Sequence, residues 1–143
     1  MNWEKLKTNH YFKDPVKHVY ASTLYDMKEY DKLYENQNNL NHHVWQEFDQ
    51  KYKTGFEFMN DIGEINTNKS VICVWFFKER NDRSMSEDIK IAGKKIKYLP
   101  NTFLITESKD IEIMNKEDKY FRRPFLQLDL KKEVWKKILK KLQ

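Results

Sequence analysis

The residues best suited to chemistry are the lysines near the carboxyl end of the chain. Residues 131–141 hold six lysines and one glutamate, whereas the rest of the chain carries 21 basic and 21 acidic side chains. The net charge of +5 therefore belongs to this one segment. Clustered lysines bind phosphate groups, and such a cluster is the usual electrostatic signature of a nucleic-acid-binding surface.

The same segment has the apolar spacing of an amphipathic helix. Its apolar residues are Val134, Trp135, Ile138, Leu139 and Leu142. Two interpretations stay open: the apolar face packs on the body while the lysines are solvated, or the helix lies against nucleic acid, an anionic membrane or a partner protein. The candidate nucleic-acid-binding residues are Lys132, Lys136, Lys137, Lys140 and Lys141.

An arginine pair, Arg122 and Arg123, precedes the predicted strand that begins at Pro124. A guanidinium group can hold a carboxylate or a phosphate through two parallel hydrogen bonds. The alternative is a solvated pair at the start of the strand, in ionic contact with Glu117 or Asp118. The pair is therefore a candidate site for a small acidic ligand.

Metal-binding side chains are few. The four histidines, at positions 10, 18, 42 and 43, all precede the predicted core strands. His42 and His43 are adjacent, and neighbouring residues of a helix point about 100° apart, so we interpret this pair as the solvated start of a helix. Cys73 lies within an apolar run and is interpreted as a small buried hydrophobe.

The tripeptide Glu107-Ser108-Lys109 has the spacing of half a restriction-type nuclease site. In such a site the lysine assists a water molecule held by a carboxylate-bound metal. Asp88 or Asp61 would supply the second carboxylate. Because the chain is rich in lysine and glutamate, this tripeptide arises easily by chance and does not define a nuclease.

A β core is expected to position these groups. The stretch Lys94 to Leu130 contains three short apolar runs, near residues 103–105, 111–113 and 125–130, each bounded by turn residues as is typical of the strands of a sheet. Val71 to Phe77 is continuously apolar, which predicts a strand buried on both faces. Residues 89–98 predict a hairpin around Gly93-Lys94.

Helices are predicted before and after this core. Asp26 followed by Glu29 resembles a capping box, so we expect one helix to begin there and a second to end at Thr54-Gly55. The length of the chain indicates one domain of the α+β class. Its parts are an amino-terminal strand and helices (1–55), the β core (56–130) and the basic amphipathic helix (131–143).

Several patches, taken in order, resemble a small phage or prokaryotic iron- and 2-oxoglutarate-dependent dioxygenase of the prolyl-hydroxylase type. The first is Pro15-Val16-Lys17-His18, similar to the Pro-x-x-His strand of that family. The last is Arg122 to Leu128, similar to the core strand whose arginine binds 2-oxoglutarate. The patches between them are residues 24–33, 45–48, 71–77 and 94–106.

This resemblance implies a double-stranded β-helix, or jelly-roll, core with 2-oxoglutarate and a divalent metal as cofactors. It places Arg122, Arg123 and Tyr98 at the 2-oxoglutarate site. The family holds iron with two histidines and one carboxylate. The positions available here offer Asp61 and, for the distal histidine, Asp110 or Glu112 instead, so the iron triad is incomplete, and Asp61 and Asp110 are the candidate metal ligands.

We therefore expect a diverged dioxygenase-like domain that binds a protein or a small acidic ligand, or that acts as an atypical oxidoreductase. The alternative is a small basic phage-type protein that binds nucleic acid or a host component through its terminal lysines. The longest apolar run, Val71 to Phe77, is too short to span a membrane, and no signal peptide is recognisable. A cytoplasmic location is expected, in the host cytoplasm if the protein is phage-encoded.

Overall fold

A computed structural model describes residues 3–60, 71–78, 89–114 and 124–143. Within them the helices are α1 (Met27–Glu35), α2 (His43–Tyr52) and α3 (Lys132–Leu142). The strands are β1 (Tyr11–Phe12), β2 (His18–Ser22), β3 (Glu57–Asn60), β4 (Val71–Phe76), β5 (Ile89–Ile91), β6 (Lys94–Ile96), β7 (Thr102–Glu107), β8 (Ile111–Ile113) and β9 (Pro124–Leu130). Short 3₁₀ turns cover Thr8–His10 and Ser108–Asp110.

The described strands form two antiparallel sheets. The larger has six strands in the order β1-β2-β7-β4-β9-β3, and the smaller has three in the order β6-β5-β8. The α+β class predicted from the sequence is confirmed. The jelly-roll core is not confirmed, and the stretch Lys94 to Leu130, which was expected to form a single sheet, divides its strands between the two sheets.

Strand β4 lies inside the large sheet, between β7 and β9. All six of its residues are buried, which confirms the prediction from the continuous apolar run. Alternate side chains point to opposite faces of a strand. Cys73 and Trp75 therefore join the core beneath the helices, and Val74 and Phe76 join the core beneath the small sheet. The result is three layers: helices, large sheet and small sheet.

Trp75 is the centre of the core beneath the helices. Its ring stacks on that of Phe103 with a centroid distance of 4.9 Å. Its indole Nε1 donates a hydrogen bond of 2.9 Å to Oδ1 of Asn101, and Nδ2 of Asn101 donates one of 3.0 Å to the backbone oxygen of Tyr25. Asn101 holds φ at +52°, a conformation that asparagine tolerates better than most residues.

The predicted start of α1 at Asp26 and the end of α2 before Thr54 are confirmed, but the capping box is not formed, because the carboxylate of Glu29 contacts Lys51 and Tyr52 instead. The side chain of Asp26 accepts a hydrogen bond from the backbone N–H of Lys28 at the start of α1. Oδ1 of Asp49 accepts from the backbone N–H and hydroxyl of Thr54 and from the N–H of Gly55, directly after the end of α2. These hydrogen bonds lower the pKa of the Asp49 carboxyl. Local side-chain acceptors therefore set both boundaries.

The β5–β6 hairpin turns one residue earlier than expected. Ala92 and Gly93 form the turn, with φ values of +45° and +87°, and Lys94 already belongs to β6. A two-residue hairpin loop of this kind needs positive φ at both central positions. Glycine adopts that conformation readily. Ala92 adopts it because Ile91 pairs with Lys94, which leaves only two residues for the turn.

No described helix combines the length and the apolar character needed to cross a membrane.

Candidate functional site

Helix α3 is fixed to the body by its apolar face. Trp135, Ile138 and Leu142 are buried in the core beneath the helices, where each contributes about 1.5–3 kcal/mol through removal of apolar surface from water. The six lysines of the segment, at 131, 132, 136, 137, 140 and 141, are exposed. The structure thus confirms that the apolar face packs on the body, and it leaves the lysines accessible from solvent.

The exposed lysines form two rows along α3. Lys132, Lys136 and Lys140 follow one another at four-residue spacing, and Lys137 and Lys141 do the same on the adjacent face. At 1.5 Å per residue the longer row extends over about 12 Å. A fixed helix therefore presents a band of positive charge around its solvent-facing half.

One of these lysines has a structural role. Nζ of Lys141 donates hydrogen bonds to the backbone oxygens of Trp3, at 3.1 Å, and Glu4, at 2.8 Å. Within the described ranges, the side chains of the other five make no hydrogen bond or ion pair. These five, Lys131, Lys132, Lys136, Lys137 and Lys140, are called the α3 lysine surface below.

On one flank of α3 lies a cleft of about 740 Å³, called the Trp3 cleft below. Its apolar lining residues are Trp3, Leu128, Leu130, Val134 and Ile138. Its polar lining residues are Glu4, Lys53, Thr54, Asp129, Lys131, Lys137 and Lys141. The cleft is therefore lined by five apolar side chains, called its floor below, and by four cationic and two anionic side chains, called its rim.

On the other flank lies a cleft of about 520 Å³ that contains the predicted metal ligand Asp110. Lysines accompany this carboxylate: the charged lining residues are Lys13, Asp14, Lys17, Glu107, Lys109, Asp110 and Lys136. Glu107 and Lys109, the two charged residues of the nuclease-like tripeptide, form an ion pair of 3.3 Å with each other. Asp61 and Asp88, which would complete that site, lie outside the described residues.

Of the residues of the predicted oxygenase site, the structure describes two, Tyr98 and Asp110. Tyr98 is buried between the sheets, with its ring centroid 5.0 Å from that of Phe76. Asp61, Arg122 and Arg123 lie outside the described residues. Across the described ranges, no group of three or more histidine, cysteine, aspartate or glutamate side chains could hold a metal ion.

The histidines have separate local roles. His42 caps α2, because its Nδ1 accepts from the backbone N–H of Val44, and its ring lies 4.2 Å from that of His43. Nδ1 of His10 accepts from the N–H of Lys7. His18 is buried, with Nδ1 at 2.8 Å from the backbone oxygen of Val16.

Cys73 is fully buried, as the sequence predicted, and burial raises the pKa of its thiol far above the usual range. A thiol that stays protonated is a poor nucleophile and a poor metal ligand. Cys73 therefore acts as a small apolar side chain in the core.

Comparison of the chain with protein-family models, with curated proteins and with solved structures finds no match. The dioxygenase resemblance therefore stays a prediction. The functional inference rests on the α3 lysine surface and on the clefts beside it.

The sequence identified the lysines of α3 but not the Trp3 cleft. Its walls come from the amino terminus, from the segment after α2, from β9 and from α3, and only the last was a candidate site. One signal was available: Leu128 belongs to an alternating strand, so its side chain had to lie on one defined face of β9.

Proposed function

We propose that the protein binds nucleic acid and that the α3 lysine surface holds its phosphates. The observation that carries this proposal is the set of five exposed lysines without a partner in the described structure, placed on α3 and at its N-cap, with the other face of the helix buried. Like charges so close together repel one another, and phosphates would relieve that repulsion. Each lysine bound to a phosphate also displaces condensed counterions, which favours association.

The buried apolar face argues against a helix that inserts into a membrane. An interfacial helix inserts its apolar face among lipid chains. Trp135, Ile138 and Leu142 are already buried against the sheet, so α3 would have to leave the core before it could insert. Contact with an extended polyanion needs only the lysines and leaves the fold unchanged.

The proposal is tested with two variants of equal charge. The first replaces Lys132, Lys136, Lys137 and Lys140 with glutamine. The matched control replaces four lysines elsewhere, Lys28, Lys32, Lys90 and Lys97, with glutamine. Both lower the net charge by the same amount, so only the position of the removed charge differs.

Fluorescence anisotropy of a labelled oligonucleotide at low salt is the measurement. We expect the α3 variant to lose at least tenfold in affinity and the control to lose much less, because close phosphate contacts outweigh the long-range effect of net charge. Equal losses in the two variants would show that binding follows net charge alone. No binding by the unmodified protein would rule out the proposal and favour an acidic protein as the partner.

A further inference from the structure

We propose that the Trp3 cleft receives an unpaired base, so that the protein prefers single-stranded nucleic acid to duplex. This inference rests on the proposed function, since the cleft borders the α3 lysine surface. Lys131 and Lys137 belong to both. A strand whose phosphates lie on these two lysines has its bases next to the apolar floor.

The floor has the composition that a base needs. Trp3, Leu128 and Val134 are only partly buried, so each leaves apolar surface open to the cleft. Every base has an apolar face that stacks on aromatic side chains and packs on aliphatic ones. In a duplex these faces are covered by neighbouring base pairs, so the floor could not contact them.

An apolar floor could accommodate either a base or an acyl chain, and the charged side chains of the rim distinguish between these two ligands. Glu4 and Asp129 place carboxylates beside the floor. A carboxylate accepts hydrogen bonds from the amino groups of bases. An acyl chain has no hydrogen to donate to either carboxylate. Mixed charge at the rim therefore fits a nucleotide, with lysines at the phosphate and carboxylates at the base edge.

The wall that carries Trp3 is held in place. Nζ of Lys141 donates to the backbone oxygens of Trp3 and Glu4, and the N–H of Leu6 donates to the same Trp3 oxygen at 3.1 Å. Leu6 itself is buried. These contacts fix the amino-terminal segment against α3, so the cleft exists before a ligand arrives.

The test compares a 12-nucleotide single strand of mixed sequence with the duplex it forms with its complement, under the same salt conditions. Stacking on an aromatic side chain contributes on the order of tenfold or more in affinity. We expect the unmodified protein to bind the single strand about tenfold more tightly than the duplex. Trp3→Ala should remove this preference and leave duplex binding unchanged, whereas Trp3→Phe should retain most of it.

Two further readouts do not depend on how well Trp3→Ala folds. Leu128→Gln, at a partly buried position of the floor, should reduce single-strand binding and spare duplex binding. Tryptophan fluorescence should be quenched by the single strand in the unmodified protein. It should also be quenched in the control Trp45→Phe, because Trp45 lies on α2 outside the cleft. The quenching should disappear in Trp3→Phe.

Equal affinity for single strand and duplex would overturn the inference. Tryptophan quenching that persists in Trp3→Phe would overturn it as well. So would quenching by dodecanoate in the absence of any quenching by the oligonucleotide. None of these results touches the proposed function, which fails if the unmodified protein does not bind the oligonucleotide or if loss of the α3 lysines has no specific effect. The two claims are thus separable.

Discussion

The ammonium group of Lys141 lies 3.1 Å from the backbone oxygen of Trp3, a residue 138 positions earlier in the chain. This contact ties the last helix to the amino-terminal segment. It also distinguishes Lys141 from the five lysines around it, which have no partner in the described ranges. A row of lysines that looks uniform in the sequence thus contains one member with a structural role.

Replacing Lys141 should therefore destabilise the protein, and replacing its neighbour should not. Hydrogen bonds from a charged donor contribute about 1.5–3 kcal/mol, and exposure reduces this value, so we expect Lys141→Gln to lower the free energy of unfolding by about 1 kcal/mol. Lys140→Gln serves as the control because Lys140 is exposed and has no partner in the described structure. Urea denaturation measures both, and equal stabilities would show that the Lys141 contacts do not matter in solution.

Asn101 should be among the most sensitive positions of the core. It connects the indole of Trp75 to the backbone oxygen of Tyr25 through hydrogen bonds, and all three residues are buried. Asn101→Ala leaves the buried indole N–H of Trp75 without its acceptor and removes the donor to the backbone oxygen of Tyr25, so we expect a loss of about 2–4 kcal/mol in the free energy of unfolding. The exposed Asn38→Ala is the control. A loss below about 1 kcal/mol at Asn101 would mean that water or a rearrangement satisfies both groups.

His18 should make stability depend on pH. Burial lowers its pKa below 6.5, the positive charge of Lys94 lowers it further, and the hydrogen bond to Val16 opposes the shift. The unfolded chain therefore binds a proton at a higher pH than the folded protein does. The contribution of His18 to the free energy of unfolding is therefore fully present above about pH 6.5, and it is lost as the pH drops below that value.

The measurement is the free energy of unfolding between about pH 8 and pH 5, which brackets the ordinary histidine pKa. We expect a decline toward acid that is clearly smaller in His18→Gln, and that persists in the control His43→Gln, where the residue is exposed. His10, whose pKa is lowered mainly by burial, contributes in the same direction. An undiminished decline in His18→Gln would assign the effect to other groups.

The local features of the fold could be predicted from the sequence. The apolar run of β4, the cap at Asp26 and the end of α2 near Thr54 each depend on residues close together in the chain, and all three are confirmed. The division into two sheets could not be predicted. It depends on pairings such as Ser22 with Thr102, and local periodicity does not choose partners so distant in sequence.

The same distinction applies to the site. The α3 lysines occur within one segment and were found from charge alone, whereas the Trp3 cleft needs four separate segments to meet. The 2-oxoglutarate prediction depends on Asp61, Arg122 and Arg123, which the structure does not describe. A thermal midpoint that rises only with Mn²⁺ and 2-oxoglutarate together would support it, because a ligand bound by the native state alone stabilises that state.

The salt dependence of oligonucleotide binding tests the central claim most directly. For a single strand, log K falls with log salt concentration by about 0.7 for each phosphate neutralised. If Lys132, Lys136, Lys137 and Lys140 each hold a phosphate, their replacement with glutamine should reduce the slope by about 3. The matched variant of Lys28, Lys32, Lys90 and Lys97 should keep the original slope. An unchanged slope in the α3 variant would contradict a role for this surface in binding nucleic acid.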